Sequence, residues 1–223
     1  MPAMDSTRVR WGALRAAAGS RAGARGEAGE RLFAELDARY REPHRHYHGW
    51  GHILSCLDLL EPARGLCERP LAVELALWYH DAVYDPRAAD NETRSAALAR
   101  AAALALGLET GTADEAAGLV LLTTHEAPPP GSRDLPPDAA VVLDVDLAIL
   151  GSSPGEFLSY EKAIRAEYAF VPDREYREGR SQVLRSFLDR QRIYLTDMFR
   201  ESREGQARRN IEASLARLAD QPT

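Results

Sequence analysis

Nine residues from Leu71 to Tyr79 read Leu-Ala-Val-Glu-Leu-Ala-Leu-Trp-Tyr and end on an adjacent histidine and aspartate, His80-Asp81. Only Glu74 interrupts the apolar run, so the pattern predicts a helix buried nearly all round. An imidazole and a carboxylate at the end of such a helix are costly to bury unless something compensates them. A divalent cation compensates both at once. His52 upstream, and Asp144 and Asp146 downstream, are further ligands of the right chemistry. The run therefore predicts a helical core closed around a metal site.

Composition narrows the class. The chain has 223 residues, enough for one large domain, and its 45 % hydrophobic and 28 % charged residues match an ordinary globular protein. With 28 Lys+Arg against 34 Asp+Glu the net charge is −6, which argues against binding a nucleic-acid duplex through bulk electrostatics. Cys56 and Cys67 form no CxxC, so they read as small side chains in a reducing compartment. No stretch approaches the ~20 apolar residues of a membrane span. The N-terminus has arginines but no continuous apolar segment of a secretory signal. A cytoplasmic protein, monomeric or homodimeric, is expected.

Helical periodicity runs throughout, and no segment alternates as a strand. Helices are expected over about 8–18, 27–40 and 50–60, with a Gly/Ala/Arg connector at 21–26 and a stop before Pro62. Pro70 fits the first turn of the apolar helix. Asp90 can cap an Ala-rich helix that stops at Gly107. Thr112 or Asp114 starts the next, which reaches His125. Pro136-Pro137 opens a segment stopped by Gly151, and Ser153-Pro-Gly-Glu156 has the spacing of a capping box. Further helices continue to Leu218. The prediction is one all-α domain over 1–223, with its core at about 27–200.

Adjacent residues on a helix point about 100° apart, so His80 and Asp81 share a target only where the helix opens. The Asp85-Pro86 turn places that opening just beyond them. Two imidazoles and two carboxylates form a nitrogen and oxygen site without sulfur, suited to Mn, Fe, Co, Ni, Zn or Mg. Four protein ligands on an ion that accepts six leave positions for water and a substrate oxygen, as catalytic sites require.

The order His52, His80-Asp81, Asp146 resembles the H…HD…D signature of the HD superfamily of metal-dependent phosphohydrolases. The strings His48-Gly-Trp-Gly-His52-Ile-Leu, Trp-Tyr-His80-Asp81 and Asp144-Val-Asp146-Leu strengthen it. Arg45-His-Tyr-His48, Asn91-Glu-Thr-Arg-Ser95 and Glu161…Glu167-Tyr168 are similar to a bacterial branch of small stand-alone HD proteins. The likeness runs from about Trp11 to Leu218. It implies an HD-type helical bundle with one central divalent ion on His52, His80, Asp81 and Asp146. Asp146 is preferred to Asp144 because it precedes the leucine-type core position, Leu147, of the family string. Asp144 would then orient a ligand or a water.

The resemblance also implies hydrolysis of a phosphate ester, of a nucleotide or a small phosphorylated metabolite, with Asp81 and Glu92 handling the proton. Glu92 could equally complement a helix dipole. His125 could stabilise phosphoryl charge, hold a second ion, or be a core histidine. As the sole histidine between the doublet and Asp146, it favours one ion over two. His48, Arg45, Arg165 and Arg180 are candidates for contacting phosphate or supporting the ligands. Two further chemistries fit the scaffold: an iron oxygenase, which would need more histidines, and a non-catalytic module that binds metal or a nucleotide.

Overall fold

A computed structural model describes residues 2–19, 23–124 and 135–220. Among these residues there are ten α-helices and no strand. The chain divides into two compact units, residues 1–142 and 143–223, and the division falls inside one helix.

The first unit holds α1 (Pro2–Ala17), α2 (Gly23–Tyr40), α3 (Trp50–Ala63), α4 (Pro70–Tyr79), α5 (Asn91–Ala105) and α6 (Thr110–Leu121), and the start of α7 (Pro137–Asp146). The apolar run is α4, as its pattern predicts. It packs against α1, α3, α5 and α6, and its residues from Leu75 to Tyr79 are buried. Glu74, its one charged residue, is paired with Arg64 at 2.8 Å. Trp78 in its last turn meets Trp11 and Trp50 edge-on, with ring centroids 5.2 and 5.8 Å apart. Such edge-to-face geometry suits the ring quadrupoles.

Alanines let α5 and α6 approach closely: Ala96, Ala99, Ala102 and Ala103 on one and Ala113 and Ala116 on the other are buried. At Gly107, φ is +88°, and the amides of Leu108 and Gly107 bond the carbonyls of Ala103 and Leu104 at 3.0 Å each. This left-handed stop is the one the glycine predicts. Three expectations shift. The second helix begins at Gly23, so the connector expected at 21–26 is mostly helix. Pro62 lies inside the last turn of α3 rather than beyond it. Asp90 occupies the N-cap position of α5 without a side-chain cap bond.

The second unit contains the end of α7, a 3-10 turn at Leu147–Gly151, α8 (Pro154–Glu167), α9 (Asp173–Leu188) and α10 (Asp197–Asp220). Ser153 and Glu156 close the capping box that their spacing predicts. The 3-10 turn packs against α10, and a Cβ at Gly151 would lie 2.6 Å from Arg203 Cβ and 2.8 Å from the Arg203 carbonyl. Both neighbours are rigid. Gly151→Ala is therefore expected to destabilise the protein by about 1–3 kcal/mol, the range for overpacking. Denaturant melts would measure this, and an unchanged midpoint would show that the turn yields.

Candidate metal centre

Helix α4 ends at Tyr79, and His80 follows as its C-cap, with its amide still bonded to the Ala76 carbonyl at 2.8 Å. Beyond it the backbone leaves helical geometry, which frees His80 and Asp81 to face one point. His52 comes from the first turn of α3, whose start follows Gly49. The two histidine side chains are 3 % and 1 % exposed, so whatever they bind is shielded from bulk water.

Three donor atoms converge. His52 Nε2 lies 3.0 Å from His80 Nε2, and Asp81 Oδ2 lies 3.5 Å from the first and 3.2 Å from the second. Ligand atoms about 2.1 Å from a common ion stand about 3.0 Å apart at a right angle and about 3.4 Å at a tetrahedral one. The observed triangle matches those edges.

Proton positions support the same reading. His80 Nδ1 lies 3.0 Å from the Leu77 carbonyl, which can only accept, so Nδ1 carries a proton there and Nε2 is the nitrogen turned toward the cluster. Asp81 Oδ2 is buried and makes no hydrogen bond. Burial pushes the Asp81 carboxyl up, but His80, His48 and His52 outweigh it and hold it below the usual carboxylate range. A buried carboxylate oxygen beside two imidazole nitrogens is a donor set that suits a divalent cation.

A fourth group is beside them. Cys56 is 1 % exposed, and its Sγ lies 3.7 Å from both ring nitrogens of His52. The donor atoms of His52, Cys56 and His80 all lie within 4.8 Å of one another. A thiol that the sequence reading left out of the site thus stands beside the two expected imidazoles. The missed signal was spacing: Cys56 follows His52 by four residues, which puts both on one helical face.

The surroundings brace this cluster. Arg45 donates to the carbonyls of His48 at 2.9 Å, Asp81 at 2.6 Å and Ala82 at 3.1 Å, and to Glu42 at 2.9 Å. Its guanidinium also sits over the rings of Tyr40 and Tyr84. This arrangement ties the His80-Asp81 turn to the histidine-rich loop, so most of its donors are already engaged. His48 stacks on Tyr84 with centroids 4.1 Å apart and stands 6.1 Å from the His52 ring. Asn91 and Ser95 clasp the next stretch: Asn91 bonds the backbone of Asp85 in both directions, and Ser95 Oγ receives the Val83 amide at 3.0 Å. Glu92, half-buried in the first turn of α5, lies between these two anchors in sequence. Asp138 accepts the amides of Glu68 and Arg69 at 2.7 and 3.0 Å, capping the start of α4 from α7.

Asp144, Asp146, Arg165 and Arg180 belong to the second unit. Asp146 is the last residue of α7. Asp144 accepts the amides of Leu195 and Thr196 and the Thr196 hydroxyl, each at 2.7 Å, at the approach to α10. Burial pushes its carboxyl up despite these donors. Arg165 donates to the carbonyls of Tyr168 and Val171 and to Asp173. Arg180 is buried against Glu161 and Tyr160, and Ser214 completes that group on Glu161 at 2.7 Å. Both arginines are engaged in local structure. His125 lies outside the described residues.

No helix among the described residues is long and apolar enough to cross a membrane. Comparisons with protein-family models, curated proteins and solved structures found no match to this chain.

Proposed function

We propose that the chain is a metal-dependent phosphohydrolase of the HD type, acting on a phosphate ester of a nucleotide or a small phosphorylated metabolite. The observation that carries this reading is the triangle of His52 Nε2, His80 Nε2 and Asp81 Oδ2, with a buried oxygen that no donor satisfies. The HD-like order of these residues in the sequence supports it.

A divalent ion held there supplies Lewis acidity, which activates water near neutral pH and offsets phosphoryl charge. The chain's own residues do the rest. The buried histidines keep the ligand nitrogens in one orientation, through the Leu77 carbonyl in the case of His80. Asp81, held ionised by its histidine neighbours, fixes the charge of the site. Glu92 accepts a proton from the attacking water, a role suited to a half-buried carboxylate that carries no ion pair to another described residue. His48 and His125 are the remaining candidates for contacting phosphate oxygens.

A screen of nucleotides and sugar phosphates with Mn, Co, Ni, Zn and Mg tests this reading, run beside Asp81→Ala. Phosphate release that needs an added metal and disappears in the variant is expected. Metal-loaded protein that releases phosphate from no ester in the panel overturns the hydrolase assignment.

A further inference from the structure

The two buried histidines and Asp81 leave one neighbour unexplained. Cys56 projects from α3 one turn after His52, and its thiol is packed against the imidazole rather than against apolar side chains alone. The donor atoms of His52, Cys56 and His80 all lie within 4.8 Å of one another, within reach of one ion. Sγ stands 3.7 Å from both ring nitrogens of His52, so a turn of the Cys56 side chain is needed to bring it to the Nε2 side of the ring, where zinc bonds of about 2.3 and 2.0 Å set the two ligand atoms about 3.5 Å apart at a tetrahedral angle.

We propose that Cys56 is itself a ligand, bound as thiolate to the ion held by His52, His80 and Asp81. This deepens the hydrolase reading and rests on its metal site. On binding, the thiol proton passes to solvent and a sulfur-to-metal bond forms, so the step is a proton-for-metal exchange with no change of oxidation state. A thiolate alongside two imidazoles selects borderline ions such as zinc, cobalt(II) or iron(II) over magnesium, which prefers oxygen. The site is therefore expected to discriminate sharply against magnesium.

Cobalt(II) titration of the metal-free protein tests the proposal by a signal independent of turnover. Wild-type protein should bind cobalt and develop the near-ultraviolet charge-transfer absorption of a thiolate-cobalt bond. Cys56→Ser should bind cobalt without that absorption. Cys67→Ala should retain it, since Cys67 is the only other cysteine and its Sγ lies 3.8 Å from the Ala63 carbonyl. X-ray absorption at the zinc edge of the wild-type protein should show one sulfur neighbour, and it needs no variant. Cobalt bound at full occupancy without the charge-transfer band, or a band that survives in Cys56→Ser, overturns the thiolate ligand and leaves the metal site standing. If the wild-type protein binds no cobalt and no zinc, the metal reading fails, and the Cys56 proposal fails with it.

Discussion

Replacing Asp81 by asparagine should abolish the thermal stabilisation that a divalent ion gives the wild-type protein, while the metal-free protein stays folded. Asp81 Oδ2 is the anionic corner of the donor triangle, 3.2 and 3.5 Å from the two imidazole nitrogens. Asparagine preserves the volume but offers only a neutral oxygen. Removing one partner of a buried charge pair costs about 3–5 kcal/mol. On an equilibrium constant, that is a loss of roughly two to four orders of magnitude in metal affinity. For wild-type protein at a metal concentration of ~100 times Kd, binding adds about 2.7 kcal/mol to stability. In a chain of this size that raises Tm by roughly 5–10 °C. Scanning fluorimetry with zinc, cobalt and manganese reads the difference directly. A variant that keeps the full metal shift would remove Asp81 from the ligand set.

The legible part of this chain is the part written locally. A helix that starts on Pro70, another that stops at Gly107, and a capping box at Ser153 each depend on residues within a few positions of one another. All three appear where the sequence places them. The His80-Asp81 pair was legible for a related reason, because an ionisable pair closing an apolar run has few ways to be compensated. Contacts made at a distance were not legible. Asp138 caps α4 across a separation of some seventy residues, and Asp144 does comparable work some fifty residues from its partners. No periodicity marks either of them. Cys56 was readable in principle from its four-residue offset to His52. Yet a small apolar-like thiol in a helix fits a core position equally well, and only the position of the His52 ring separates the two.

Arg45→Met separates the two meanings that a buried arginine beside the proposed metal site can have. As a phosphate contact, the residue would leave stability unchanged when replaced and would raise KM. As a brace, it would leave the His80-Asp81 turn loose. Its side chain is 1 % exposed, and its guanidinium reaches the carbonyls of His48, Asp81 and Ala82. Methionine keeps much of the stem that packs between Tyr40 and Tyr84 but supplies no donor. Each carbonyl left buried and unpaired costs about 1–3 kcal/mol, so a destabilisation of roughly 3–5 kcal/mol is expected in urea melts. Metal affinity should fall as well, by about 10–100-fold, because the backbone that aims Asp81 is no longer fixed. Lysine at this position restores one donor as a point charge rather than a planar fork, so Arg45→Lys should recover only part of both losses. Wild-type stability and metal affinity in Arg45→Met, with a raised KM alone, would return Arg45 to the substrate and show that the turn is held by Asn91 and Ser95 instead.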